Sequence, residues 1–116
     1  MDYKFINTEY LDSVSGGDPG IIIEIVKLFK EQSVEIYAEM KSLLAAKNYP
    51  SLGLLAHKAK SSVAIMGMTE LATMLKTFEI QAKESIESQS YEAYIEKYKD
   101  DTTGAIGELD DLINKK

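Results

Sequence analysis

Apolar residues recur every three or four positions along most of this 116-residue chain, and only 2 prolines break the pattern. The clearest run is Ile22, Ile25, Val26, Phe29, Ile36, Met40, Leu43 and Leu44, with Ser33 on the same line. At 3.6 residues per turn these positions share one face, which predicts a long amphipathic helix running to about Lys47. Its start is marked by Asp18-Pro19: the carboxylate accepts a free N–H, and proline suits the first helical turn. No segment alternates apolar and polar residues for long enough to be a strand.

The same reading divides the rest of the chain. Asn7, Thr8 and Glu9 precede Tyr10, Leu11 and Val14, enough for a two-turn helix that "SVSGGDPG" stops. A third helix is expected from near Pro50 to Met66. A fourth is expected to be capped by Thr69, with Leu71, Met74, Leu75, Phe78 and Ala82 as its stripe and "SQS" as its end. Ser90 is the expected cap of a fifth, carrying Tyr91, Tyr94, Ile95, Tyr98, Ile106, Leu109 and Ile113. Gly104 and Gly107 should weaken that helix by about 1 kcal/mol each. The three tyrosines read as packing aromatics at the core edge. Connections of a few residues favour antiparallel neighbours. The expected fold is all-α: one domain over residues 1–116, an up-and-down antiparallel four-helix bundle with a short additional N-terminal helix laid across it.

Composition narrows the function. The net charge of −6 and the absence of arginine leave no basic surface for a phosphate backbone, which argues against nucleic acid as a partner. With 0 cysteines there is no disulfide, thiolate nucleophile or cysteine-held metal. The N-terminus "MDYKFINTEY" lacks the basic start and apolar run of a signal peptide, and "GIIIEIVKLF" is too short and too interrupted to cross a bilayer. A cytoplasmic protein acting as a monomer, with no membrane partner, is expected. The Met1 start and short tail favour a stand-alone chain over a piece of a larger kinase.

One histidine is present, His57, within "LLAHKAKSSVAIMG". Leu52, Leu55, Ala56, Ala59, Val63 and Met66 form the core stripe of its helix. Gly53, His57, Ser61, Ala64 and Met68 fall roughly 130–150° away from it at 100° per residue. His57 is therefore expected on the rim, between small neighbours that leave the ring open. Lys60, three positions on, lies beside it on the helix surface. Lys58 points elsewhere and reads as a solvated charge.

These residues resemble the histidine-containing phosphotransfer (HPt) domain family. "AHKAKSSVAIMG" is similar to its His-x-x-Lys-Gly pattern with a second glycine ten positions after the histidine, matched here by His57, Lys60 and Gly67. "GGDPGIIIEIVKLFKEQSVE" looks like the family's helix-opening segment. "MTELATMLKTFE" resembles its following helix, with Glu79 at the place of a Glu or Gln twenty-two residues after the histidine. Ser61 departs from the pattern, standing where the family usually has glycine.

The resemblance implies a phosphocarrier rather than an enzyme. His57 would accept a phosphoryl group through Nε2 from a receiver-domain aspartyl phosphate and pass it to another receiver. Lys60 would stabilise the phosphoryl oxygens, and Glu79 would orient the ring. Partners would be response-regulator receiver domains, including that of a hybrid sensor histidine kinase; they would bring the magnesium ion and acidic pocket, so this chain needs no cofactor or metal of its own. Docking is expected on the rim, at Gly53, Leu54 and Lys58 on one side and Ser61, Ala64, Ile65 and Met68 on the other. Leu54 and Ile65 read equally well as packing against another part of the bundle, and Glu79 as a solvated charge. The alternative function is an HPt-like scaffold that binds a receiver or kinase without taking phosphate. Haem ligation by His57 and a methionine is disfavoured because the 5 methionines sit at core spacing. A di-metal carboxylate site fails because His57 lacks a glutamate three residues before it.

Overall fold

Helix α2 (Pro19–Ala45) has 27 residues, which at about 1.5 Å each makes it about 40 Å long. It accounts for the long dimension of the molecule, which measures 44 × 20 × 20 Å. The computed structural model describes residues 3–114. Alongside α2 lie α3 (Tyr49–Ile65), α4 (Thr69–Glu84) and α5 (Tyr91–Asn114), preceded by the short α1 (Thr8–Ser15). Each helix packs on the next, and α5 returns against α2, closing an up-and-down four-helix bundle. Helix α1 lies across α2 and α3.

The helix starts follow the sequence signals where a side chain caps them. Asp18 Oδ1 accepts the Gly20 N–H at 2.8 Å, and Asn7 Oδ1 accepts that of Tyr10 at 3.0 Å. Two expected caps differ. Thr69 is the first residue inside α4 rather than its cap; Met68 holds that position and offers no side-chain hydrogen bond. Ser90 does not cap α5 either, because Ser88–Ser90 form a 3-10 turn running straight into Tyr91. Helix α2 stops at Ala45, short of Lys47, whose φ of 57° is left-handed.

The core is built from the expected stripes. Ile22, Val26, Phe29, Ile36 and Met40 of α2 meet Leu52, Leu55, Ala59 and Val63 of α3, Leu71, Leu75 and Phe78 of α4, and Ile95, Ala105 and Leu109 of α5. Tyr91 and Tyr98 are fully buried rather than at the edge, and Tyr94 is half-buried. Phe78 packs on Tyr91 and Tyr94 at 5.4 and 5.1 Å between ring centres. The Tyr91 hydroxyl lies between the Gln81 and Ile86 carbonyl oxygens. Together these contacts hold α4 against α5. Helix α5 runs unbroken through both glycines, and at Gly104 the missing side chain makes room for the Phe5 ring.

The N-terminal segment is stapled to α5 by one carboxylate. Glu108 accepts the N–H of Lys4 at 2.7 Å, of Phe5 at 2.9 Å and of Ile6 at 3.1 Å. One residue further, the Asn7 N–H donates to the Met66 carbonyl at 3.1 Å. That bond ties the segment to the α3–α4 turn.

Candidate functional site

Helices α3 and α4 form an antiparallel hairpin joined by Met66–Met68, with Gly67 at φ +74°. They approach closely at Gly53. A Cβ there would lie 3.1 Å from both the Glu79 carbonyl oxygen and the Lys83 backbone nitrogen, and 2.8 Å from Lys83 Cγ. Only a bare backbone lets α4 come so near. The approach sets Glu79, one turn before Lys83, opposite His57.

The His57 side chain is 56% exposed, while that of Glu79 is only 12% exposed. His57 Nδ1 lies 3.1 Å from Glu79 Oε1. The other oxygen, Oε2, accepts from Lys83 Nζ at 2.8 Å. Lys60 Nζ stands off at 3.7 Å from Oε1, a charge contact rather than a hydrogen bond. Glu79 is thus a buried carboxylate facing three nitrogen groups, not a solvated surface charge.

Its ionisation follows. The hydrogen bond from Lys83, aided by the one from His57 and opposed by burial, holds the Glu79 carboxyl below its ordinary range. An ionised carboxylate can only accept hydrogen bonds. The proton between the two groups therefore belongs to Nδ1, which donates to Glu79. In the neutral ring the lone pair is then on Nε2. The arrangement is an exposed imidazole whose free lone pair is directed to Nε2 by a buried carboxylate.

Around the ring, the exposed residues of α3 are Leu54, Lys58, Ser61 and Ile65, spaced to fall with His57 on one face, so Lys58 shares that face rather than pointing elsewhere. Leu54 is 64% and Ile65 43% exposed, so neither is buried against another helix. The Ser61 hydroxyl donates back to the His57 carbonyl at 3.4 Å, a common use of a helical serine.

Two expected rim residues are corrected. Gly53 is buried, because its flank of α3 is the one α4 packs against. Met68 is 4% exposed and belongs to the core. Helix α3 ends at Ile65, so carrying its turn angle on to Met68 puts that residue on a face it does not have. Ala64 is half-buried. The residue that sequence reasoning missed is Lys83. Its signal was present as a lysine four positions after a glutamate, the favourable orientation on a helix.

Among the described residues no group of three or more His, Cys, Asp or Glu side chains is placed to hold a metal ion. None of the helices described is long and apolar enough to cross a membrane. The sequence profile of the Hpt domain matches residues 24–114, taking in α3, α4 and α5 whole and most of α2. Comparison with curated proteins and with solved structures gave no match.

Proposed function

The chain belongs to the Hpt domain family, whose members are phosphocarriers of two-component signalling, and from that premise we propose that His57 is the residue that carries the phosphoryl group. The observation that carries this reading is the bond from Nδ1 to Glu79 beneath an exposed ring. It supports Nε2 as the attacking nitrogen, on a ring open to a partner.

The donor is a receiver domain bearing an aspartyl phosphate. The Nε2 lone pair attacks phosphorus, the bond from phosphorus to the aspartyl oxygen breaks, and the aspartate leaves as a carboxylate. Nδ1 keeps its proton throughout, so the ring becomes an imidazolium as the N–P bond forms. The Glu79 carboxylate, 3.1 Å away, offsets that positive charge. Lys60 lies on the same side of α3 and needs only to swing from its loose contact with Glu79 to meet the phosphoryl oxygens. The receiver supplies the magnesium ion and acidic pocket. Transfer onward is the reverse, with a second receiver's aspartate attacking phosphorus. Leu54 and Ile65, with Lys58 and Ser61 between them, are the docking surface, since exposed apolar side chains around a reactive group suit a transient interface.

The test is transfer from a phosphorylated receiver to the wild type and to His57→Gln, read by intact mass and by phosphate-affinity gel. One acid-labile, base-stable phosphoryl group on the wild type and none on the variant is the expected result. A folded wild type that binds receivers but takes no phosphoryl group from any of them would make the protein a scaffold instead.

A further inference from the structure

An exposed lysine four residues after a glutamate is usually a minor surface pair. Here the glutamate is buried, and it has a second task. A carboxylate rotates freely about its last bond, because that torsion has broad minima. Nothing in the Glu79 side chain itself keeps one oxygen on His57. Lys83 supplies the missing constraint by taking Oε2 at 2.8 Å, which leaves Oε1 facing Nδ1. The remaining charged group facing Glu79 from α3 is Lys60, and at 3.7 Å it is too far to fix the rotation.

The path of Lys83 depends in turn on α3. Its Cγ occupies the space a side chain at position 53 would need, 2.8 Å from where a Cβ would stand. Any other residue there would displace the lysine stem or push the α4 backbone back from its 3.1 Å approach. We infer that Gly53 and Lys83 are a matched pair: the bare backbone at Gly53 seats the Lys83 stem, and the ammonium so delivered holds Glu79 in the orientation that puts the His57 proton on Nδ1. Both are positioning residues, acting on the reacting nitrogen only through Glu79. The consequence for transfer rests on the reading of His57 as the phosphoryl carrier.

The test compares the wild type with Lys83→Met, Lys83→Arg and Gly53→Ala. Three readouts are taken: the 15N shifts of the neutral His57 ring, the 13C titration of the Glu79 carboxyl, and the rate of phosphoryl uptake from phosphoramidate, a donor too small to need docking. Lys83→Met keeps an unbranched stem without its charge, with circular dichroism as the check that it folds. It is expected to show a share of the Nε2–H tautomer and a Glu79 titration moved up toward the ordinary range. Its uptake should be about three- to tenfold slower, the size of one partly exposed charged hydrogen bond. Lys83→Arg restores the titration and most of the rate. Gly53→Ala reproduces both spectroscopic changes with the lysine still present.

Wild-type tautomer and wild-type Glu79 titration in Lys83→Met would overturn the inference; if Gly53→Ala fails to fold, Lys83→Met decides alone. A wild type that takes no phosphoryl group from phosphoramidate or from receivers would defeat the carrier reading. The two spectroscopic readouts would still decide the Gly53–Lys83 pair.

Discussion

Truncating Glu108 to alanine removes the acceptor of three backbone N–H groups at once, and the size of the loss can be worked out. Lys4 is exposed, so water replaces its bond at little cost. The Phe5 and Ile6 bonds are partly buried, and a hydrogen bond to a charged group is worth about 1.5–3 kcal/mol. With the segment still seated, the variant would lose about 3–6 kcal/mol on that scale.

A second route costs less. The segment can lift away, rehydrating its amides and giving up the burial of Ile6 and part of Phe5, worth about 1.5–3 kcal/mol for a full side chain. Lifting also forgoes the net worth of the two bonds, about 3–6 kcal/mol, but the chain entropy regained by Lys4, Phe5 and Ile6, about 1–2 kcal/mol each, cancels that loss. The cheaper route sets the outcome, at about 2 kcal/mol. An unfolding entropy of about 2.1 cal/mol/K per residue, taken over the whole chain, converts this to a fall in Tm of about 8 °C.

Glu108→Gln can still present one oxygen to Phe5 and Ile6 but turns an NH2 toward Lys4, so about half the drop, near 4 °C, is expected on the same scale. Thermal unfolding followed by circular dichroism measures both variants. Hydrogen exchange at Phe5, Ile6 and Asn7 shows whether the segment has lifted. A Tm within about 2 °C of wild type for Glu108→Ala, or equal losses in the two variants, would refute the reasoning.

Acid titration probes the site itself. Glu79 is held below its ordinary value of 4.5 by Lys83 first and His57 after it. Its stabilisation is therefore present in full above that value and is lost as pH falls through the lower folded value. Urea unfolding of wild type and Glu79→Gln should differ at about pH 5 and converge as the pH falls below it; a gap that persists or widens below about pH 5 would contradict the assigned bonds. On the proposed docking face, Leu54→Glu and Ile65→Glu should each weaken receiver binding about tenfold, as interface anchors do, with Tm little changed because both side chains are exposed. Titration calorimetry with a receiver reads this, and unchanged affinity in both would move the docking surface elsewhere.

Much of the bundle was legible because local chemistry and periodicity agree at α2: Asp18-Pro19 opens the helix, and one apolar line continues through Met40. The turn between α4 and α5 was not. Ser85 and Glu87 take left-handed backbone angles, and neither is a glycine that would have marked the place. At the site, the rim position of His57 followed from spacing, and Glu79 came from family resemblance. Gly53 was misread because a helix's own periodicity separates core from non-core but does not say which flank meets a neighbour. Lys83 was overlooked for a related reason. From one helix it is an ordinary surface pair, and only burial of Glu79 by α3 gives it a purpose.

The bond between His57 and Glu79 joins two helices whose alignment is fixed by three residues of turn, with Gly67 at its centre and Asn7 fastened to Met66 above it. Sliding α3 along α4 by a single residue would move the ring about 1.5 Å, enough to part Nδ1 from its acceptor. The imidazole is consequently a gauge of hairpin register built into the molecule. Its two nitrogen signals would report, with no label attached to the surface, whether the hairpin is in step, and a strain applied at the turn would be read at the His57 ring.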